Sequence, residues 1–446
     1  MSRAKMGLVG MCSAFESGGE RYDMLISNAE KAMKEAGIDV VVAEKSVWNP
    51  SDAIRVCDQF KKESVTSLAM IFVTWVQDSL PYIFMHELSV PTVFWAVPFP
   101  ETFSIGCVQN FGSALKTQNT SFEYVYGNPE DKGVMDTIVL TAEAGEIIRD
   151  VKEMRIALVG PRQTWRVAGP QDMSKEEWDF SEKLGPTILH IEMEEITDKA
   201  EKISDAEAEK ILDSLKSRTG KVKCSHETML WMAKVYSASK EIIEAMHLQA
   251  FAAECYPYYS GLMNQAASWL SDDGYVVDTE GDIAHVFTQY ILNRAAGSGT
   301  CALGEVGSYN EAENYMTVCH EGSTAASLAD SIEKVAVNPS GDRGAFIGVP
   351  LKAMDRVTFC DMQGVDGSYQ MMVATGSTLP VSEAEWTEAG EKLVAKLRAD
   401  QGKPAEVIDQ MIRAGFHHHF VIREGDVAEL TREVCKFLGI SVVTLG

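Results

Sequence analysis

Carboxylates and histidines recur where the sequence predicts that strands end. Asp278-Thr-Glu280-Gly-Asp282 follows an apolar run and precedes a helical pattern, and Glu305 ends the next apolar run. His320 closes a third run, and His417-His-His419 precedes the apolar residues 420–422. Because ligands bind beyond the carboxyl ends of strands in open α/β sheets, these side chains could meet in one site.

Two carboxylates and two imidazoles form a mixed oxygen and nitrogen donor set, which suits a divalent metal such as Mn²⁺. The alternative is a set of solvated side chains at turns and helix caps, and it is the simpler interpretation for any one of them alone. The triplet His417–His419 could also be a surface cluster, although an apolar strand follows it directly. The glycines at 7, 10 and 160 lack the spacing of a nucleotide-binding loop, and no G-x-S-x-G elbow is present.

Composition narrows the classes of function. The chain has 65 Asp+Glu against 40 Lys+Arg, a formal net charge of −25 that works against binding nucleic acid or an anionic membrane. Its nine cysteines are scattered and odd in number, which favours a reducing compartment over a disulfide framework or a zinc cluster. The longest apolar runs are about half of the roughly 20 residues that span a bilayer, and the N-terminus lacks a signal-peptide pattern. We therefore predict a cytoplasmic protein.

The elements that must position these residues follow from periodicity. Strand and helix patterns alternate twice, which predicts two doubly wound parallel-sheet α/β domains (Rossmann-like) at residues 1–152 and 153–297. Short β-rich runs then predict a C-terminal α+β domain at residues 298–446, built on an antiparallel sheet or small barrel. Helices are predicted within it at residues 384–398 and 405–414.

The same residues resemble the L-arabinose isomerase and L-fucose isomerase superfamily. The resemblance rests on Thr279-Glu-Gly-Asp-Ile-Ala284, on Glu305 downstream of Gly299-Thr300, on His320 and on Ala414-Gly-Phe-His-His-His-Phe-Val-Ile422. The two carboxylates are 305 − 280 = 25 positions apart, close to the separation of the family's metal-binding carboxylates. The order of two α/β domains and a β-rich domain is similar as well.

The resemblance implies roles for individual residues. Glu280, in the second predicted domain, and Glu305, in the third, correspond to the catalytic carboxylates, which are also metal ligands. His320 and His419 correspond to the remaining ligands, and a shift of one residue would select His418 in place of His419. Because neighbours in a strand face opposite ways, only one of these two is expected to meet the metal. The implied cofactor is Mn²⁺, with Mg²⁺ or Co²⁺ as alternatives.

The implied activity is that of an aldose–ketose isomerase, which moves a proton between C1 and C2 of a free sugar through an enediol. The short chain and the weak match in the first domain leave open an isomerase of a modified hexose, such as a deoxy sugar or a sulfonated sugar like sulfoquinovose. A non-catalytic sugar-binding protein is the alternative from another class. The resemblance also implies a homo-oligomer with active sites near its subunit interfaces.

Six further residues are candidates for contacts with the sugar: Trp75, Gln77, Trp165, Arg166, Tyr256 and His418. Tyr256 could stack on a sugar face, although packing at a domain interface would suit it equally. Arg166 could bind an anionic or hydroxyl-rich end of the sugar, with an exposed surface arginine as the alternative. Trp75 and Gln77 are included because the family's first domain often completes the active site of a neighbouring subunit.

Overall fold

The structure, a computed structural model, describes residues 4–160, 177–256, 259–365 and 368–445. Its internal contacts divide the chain into two compact units, Met1–Asp150 with Glu433–Gly439 and Val151–Arg432 with Ile440–Gly446. Among the helices of the described residues, none combines the length and the apolar character that crossing a bilayer requires.

The first unit is built around a parallel sheet. Its strands are β1 (Lys5–Met11), β2 (Asp39–Val42), β3 (Ser67–Phe72), β4 (Thr92–Ala96) and β5 (Glu123–Tyr126). Its helices are α1 (Tyr22–Glu35), α2 (Pro50–Glu63), α3 (Ser79–Leu88), α4 (Ser104–Thr117) and α5 (Lys132–Lys152). The strand order is β2-β1-β3-β4-β5, and every pairing is parallel.

The core of the first unit lies on both faces of this sheet. Leu25, Ala29 and Met33 recur at helical spacing along α1 and are buried on one face. Phe60 of α2 and Phe111 of α4 belong to a separate buried cluster on the other face. Burial on both faces explains why the strands appear in the sequence as continuous apolar runs without alternation.

The second unit begins with another parallel sheet. Its first strands are β6 (Arg155–Val159), β7 (Thr187–Ile191), β8 (Lys221–Val222), β9 (Ala250–Ala253) and β10 (Val276–Asp278). Its first helices are α6 (Glu177–Leu184), α7 (Met193–Glu201), α8 (Asp205–Leu215), α9 (His226–Ala245), α10 (Asn264–Asp272) and α11 (Ile283–Ala296). Strands β10-β9-β6-β7 form the sheet in that order, all parallel, whereas β8 pairs elsewhere.

The rest of the second unit is β-rich. Its strands are β11 (Ala302–Asn310), β12 (Tyr315–Cys319), β13 (Ala336–Ser340), β14 (Gly344–Gly348), β15 (Met354–Val365), β16 (Ser368–Leu379), β17 (Leu393–Ala399), β18 (His419–Glu424) and β19 (Ser441–Val443). Two helices accompany these strands, α12 (Glu383–Glu388) and α13 (Pro404–Ala414). A third helix, α14 (Ala428–Leu438), begins in the second unit, and its residues from Glu433 onward belong to the first unit.

Six of these strands close into an antiparallel barrel. They follow the order β15-β18-β11-β12-β17-β16, and β16 pairs back with β15. Closure satisfies the hydrogen-bonding groups that an open sheet would leave at its edges. β19 adds to β16 in parallel, and β14, β13 and β8 form a separate three-stranded sheet. The predicted fold class, parallel α/β domains followed by a β-rich domain, is confirmed.

The helix predicted at residues 384–398 is wrong in its second half. α12 ends at Glu388, and the backbone then passes through positive φ at Gly390 (65°) and Glu391 (62°). The chain next enters β17, which lies between β12 and β16. The hydrogen-bonding groups of those two neighbouring strands outweigh the local helical preference of this stretch.

One prediction concerns the approach of α5 to the sheet of the first unit. A Cβ at Gly145 would lie 2.5 Å from the carbonyl oxygen of Thr66, whereas a Cβ at Gly133 of the same helix would meet nothing within 4 Å. We expect Gly145→Ala to lower the free energy of unfolding by about 1–3 kcal/mol, because the helix must move outward. Gly133→Ala, the matched control, should raise it by about 0.5 kcal/mol or leave it unchanged. Urea unfolding measures both, and equal stabilities would contradict the close approach.

Candidate active site

Glu280 lies on the turn between β10 and α11. Asp278, the last residue of β10, accepts hydrogen bonds from the backbone N–H groups of Glu280 (2.7 Å) and Asp282 (3.3 Å). Asp282 caps α11 by accepting two backbone N–H groups of its first turn. Gly281 supplies the positive φ of 73° that the turn requires. The two aspartates therefore hold the backbone on either side of Glu280.

The other predicted ligands come from the barrel. Glu305 on β11 pairs with His419 on β18 and with Cys319 on β12. His320 follows β12 directly, and its backbone N–H donates to the carbonyl of Lys392 (2.8 Å). Antiparallel pairing thus brings Glu305 and the two histidines to neighbouring positions.

The predicted donor atoms meet in space. His320 Nε2 lies 3.2 Å from Glu280 Oε1. The donor atoms of Glu280, His320 and His419 all lie within 4.8 Å of one another, and those of Glu305, His418 and His419 do as well. His419 belongs to both groups and therefore links the two carboxylates.

His418 and His419 share this site. Their ring centroids are 3.9 Å apart, and His418 Nε2 lies 4.0 Å from Glu305 Oε2. The expectation that these neighbours face opposite ways was wrong, because His418 precedes β18 and is not subject to strand alternation. The two differ in burial: the His418 side chain is 37% exposed, and His419 is 5% exposed.

Burial and neighbouring charges determine which imidazole stays neutral. Burial lowers the pKa of His419, and the adjacent His320 and His285 lower it further. The imidazole is therefore neutral, and its lone pair is available to a metal ion. Burial also opposes a charge on His320, but its hydrogen bond to Glu280 and nearby carboxylate charges raise the pKa of His320 above the usual value. Burial raises the pKa of Asp278 to about 7.

This donor set fits a divalent metal ion. The donor atoms of Glu280, His320 and His419 converge within 4.8 Å, which is close enough for one ion to bind all three. Carboxylate oxygens and neutral imidazoles are donors that Mn²⁺ and related ions accept.

The donor residues line a cavity of about 360 Å³ in the second unit. Its wall includes residues that the sequence analysis did not select: Ser260, Gly261, Asn264, Cys319, Glu321 and Lys392. Asn264 donates to the backbone carbonyl of Glu321 (2.6 Å), and Glu321 forms an ion pair with Lys392. A cavity of this size suits a monosaccharide.

A local signal existed for only some of these wall residues. Glu321 directly follows His320, so its position next to the site could have been inferred from the sequence. Lys392 was missed because the sequence analysis predicted a helix at residues 384–398. In the structure this residue reaches the site through the pairing of β17 with β12. Asn264 opens α10, where the sequence carries no motif.

The remaining predicted sugar contacts fall in several places. Tyr256 lines the cavity and is 49% exposed. Trp75 and Gln77 follow β3 in the first unit, and both are exposed. Trp165 and Arg166 lie outside the described residues. Contact with a sugar stays a prediction for all five.

Comparisons with known proteins identify related sugar isomerases. Residues 331–446, which include His418 and His419, match the family model described as the L-fucose isomerase C-terminal domain. Sulfoquinovose isomerase from Priestia aryabhattai is 22% identical over 413 residues, which are 90% of each chain. The sulfoquinovose isomerase of Alkalicoccus urumqiensis is 21% identical and covers 81% of this chain and 82% of the relative. That of Clostridium sp. (strain MSTE9) is 24% identical and covers 77% and 78%.

A solved structure of a sugar-binding protein also matches weakly. It is an ABC transporter periplasmic solute-binding protein from Actinobacillus succinogenes 130z with bound D-allose, at 12% identity and a TM-score of 0.19. The match covers 65% of this chain and 92% of that one. A score this low supports no inference about the present chain.

The matches to sulfoquinovose isomerases indicate that this protein is an enzyme of the aldose–ketose isomerase class. These matches support the resemblance to the L-fucose isomerase superfamily that the motifs around Glu280, Glu305 and His419 indicated.

A second prediction separates the two adjacent histidines. His419→Ala removes a buried imidazole that belongs to both donor groups, whereas His418→Ala, its matched control, removes a half-exposed one that belongs to a single group. Loss of a direct ligand should exceed the roughly 10–100-fold loss in affinity typical of outer-shell changes. We therefore expect His419→Ala to weaken Mn²⁺ binding more than about 100-fold, and His418→Ala far less, by calorimetric titration. Equal losses, or the reverse order, would contradict the assignment.

Proposed function

We propose that this protein is a metal-dependent aldose–ketose isomerase whose substrate is a sulfonated hexose such as sulfoquinovose. The observation that carries the proposal is the meeting of Glu280, His320, Glu305 and His419 beside one cavity. The choice of sugar is supported by relatives with sulfoquinovose in their names that cover up to 90% of the chain.

The two carboxylates can divide the proton transfer between them. Isomerisation takes a proton from one sugar carbon and returns it to the neighbouring carbon, which requires a general base near both. The Glu305 side chain is 44% exposed and lines the cavity, whereas that of Glu280 is 13% exposed and bonded to His320. Glu305 is thus the more accessible group for a sugar C–H, and Glu280 is better suited to a hydroxyl proton.

We propose that the site binds a divalent ion, which is Mn²⁺ or, as alternatives, Mg²⁺ or Co²⁺. Glu280, Glu305, His320 and His419 would hold this ion, which when bound supplies Lewis-acid stabilisation of negative charge on the sugar oxygens. His419 stays neutral through burial, so it adds a donor without adding charge. The hydrogen bond from His320 keeps the carboxylate of Glu280 oriented.

Recognition of a sulfonate requires a positive side chain. Among the described residues that line the cavity, Lys392 is the one lysine or arginine, and Glu321 already forms an ion pair with it. Arg166, predicted for an anionic sugar end, is a second candidate. A sulfonate is an acceptor for either side chain, and the planar guanidinium offers two parallel donors to it.

Two further features belong to this proposal. The protein acts as a homo-oligomer in which Trp75 and Gln77 complete the site of a neighbouring subunit, as the superfamily resemblance implies. It acts in the cytoplasm, which is supported by the odd number and the scattered positions of its nine cysteines.

The test of this function is an assay of ketose formation on the chelator-treated protein, with and without added Mn²⁺. We expect turnover of sulfoquinovose only after Mn²⁺ is restored, and weaker turnover with Ca²⁺, whose larger coordination shell suits this donor set poorly. L-Fucose, L-arabinose and D-glucose serve as neutral comparison sugars. Full activity in the stripped protein would contradict the proposed metal requirement. Faster turnover of a neutral sugar than of sulfoquinovose would contradict the proposed substrate.

A fourth prediction tests the carboxylates as proton carriers. Glu305→Gln and Glu280→Gln keep the side-chain size but remove the proton-accepting group, so each should lower turnover by roughly 10² to 10⁴-fold. Exchange of the C2 hydrogen with deuterated solvent should fall in parallel. Glu313→Gln, a change on the β11–β12 turn of the same barrel, is the control and should leave both rates unchanged. If either Glu280→Gln or Glu305→Gln exchanges the C2 hydrogen at the rate of the parent protein, the substituted residue takes no part in the proton transfer.

A further inference from the structure

A second group of titratable side chains lies next to His419. Its members are Asp278, Asp282, His285, Asp361 and His417. The donor atoms of Asp282, His285 and His417 all lie within 4.8 Å of one another. The His285 ring centroid is 6.4 Å from that of His417 and 5.7 Å from that of His419. The proposed isomerase chemistry uses none of the five.

The aspartates of this group use one oxygen each for the backbone. Asp278 Oδ1 accepts from the turn that carries Glu280, and Asp282 Oδ1 caps α11. Their second oxygens, Asp278 Oδ2 and Asp282 Oδ2, are buried and have no hydrogen-bond partner within the described parts of the chain. Both residues are 0% exposed, so water does not supply the missing partner from bulk solvent.

His285 faces these two oxygens with a ring nitrogen. Its Nδ1 lies 3.5 Å from Asp282 Oδ2 and 3.9 Å from Asp278 Oδ2, and this nitrogen also has no hydrogen-bond partner among the residues described. These separations are too long for good hydrogen bonds. The shorter separation, to Asp282 Oδ2, falls within the roughly 3–3.6 Å expected between neighbouring ligands of one ion with bonds of about 2.1 Å.

The hydrogen bond of the other His285 ring nitrogen also fits metal binding at Nδ1. His285 Nε2 lies 3.2 Å from the backbone carbonyl oxygen of His419, so its N–H is donated there. When His285 is neutral with its proton on Nε2, its Nδ1 carries a lone pair and faces the carboxylate oxygens of Asp282 and Asp278. Metal-binding histidines typically donate their second N–H to a carbonyl or carboxylate in this way.

The buried polar atoms of the group would be satisfied by a cation. Asp278, Asp282 and His285 are all 0% exposed, and His285 Nδ1 faces an oxygen of each aspartate. None of these three facing atoms has a hydrogen-bond partner among the described residues. A buried polar atom without a partner costs free energy, and a divalent ion bound to these atoms would remove that cost.

We propose that Asp282, His285 and His417, with Asp278 beside them, form a second divalent-cation site. The mixed oxygen and nitrogen donors suit Mn²⁺, Co²⁺ or Zn²⁺ better than Ca²⁺. The His417 side chain is 7% exposed and is the member nearest to solvent, so the ion would enter there.

This site would act on the first one through the backbone. Asp278 holds the N–H of Glu280, and His285 holds the carbonyl of His419. An ion bound at Asp282 and His285 would therefore stiffen the turn and the strand that carry two of the first site's donors. The proposal does not depend on the sugar or on the isomerase activity, because it concerns only the cation content of the chain.

The experiment is a count of bound Mn²⁺ per chain by atomic emission, on full-length protein that has been stripped, reloaded and desalted without sugar. We expect two ions in the parent and one fewer in both His417→Gln and His285→Gln. His320→Gln should also lose one ion, and the double variant His320→Gln/His417→Gln should lose both. His190→Gln, a change at an exposed histidine of the second unit, should retain both ions.

The outcomes separate the two sites. A parent with a single ion, or His417→Gln and His285→Gln variants that keep the parental content, would overturn the second site and leave a protonated His285 as the explanation. If His285→Gln does not fold, His417→Gln carries the test, because His417 lies at the edge of the group. Two ions in a parent protein that has no isomerase activity would contradict the proposed function and leave this site standing.

Discussion

The pairing of β11 with β18 is the constraint on which the active site depends. It sets Glu305 opposite His419, and a shift of one residue would turn one of these side chains to the other face of the barrel wall. Gly304, the residue before Glu305, has no space for a Cβ, which would lie 2.4 Å from Val318 Cγ1 on β12. Closure of the barrel holds both strands in place, because each has a hydrogen-bonded neighbour on either side.

The parallel sheet contributes the one donor that the barrel lacks. Glu280 comes from the turn after β10, and two aspartates hold that turn through backbone hydrogen bonds. The result places buried imidazoles next to carboxylates. Burial disfavours their charged forms, and His419 is held neutral while the pKa of His320 is raised. Cations that bind here would relieve an electrostatic cost that the folded chain otherwise carries.

Local patterns in the sequence predicted most of the framework. The strand ends before Glu280 and His320 were visible because apolar runs stop there, and superfamily spacing selected His419. The expectation that Glu305 ends a strand was wrong, because β11 continues to Asn310. The residues of the site that the sequence did not indicate are placed there by contacts between segments that are distant in the chain. Lys392 reaches the cavity through the pairing of β17 with β12, in a stretch whose local pattern favoured a helix.

The second group of side chains was invisible for the same reason. Asp361 lies in β15, and its carboxylate accepts a hydrogen bond of 2.7 Å from the backbone N–H of His417, 56 positions away. His285 lies inside α11, where a histidine on a buried helix carries no motif. Only the folded arrangement shows that both belong with Asp282.

The central claim is that a divalent metal binds among Glu280, His320 and His419. The most direct measurement is an anomalous difference map from crystals of the protein grown with Mn²⁺, recorded near the manganese absorption edge. The account predicts a peak within bonding distance, roughly 2.0–2.3 Å, of a carboxylate oxygen of Glu280 and a ring nitrogen of each histidine. A map with manganese bound elsewhere and no peak at these three residues would contradict it.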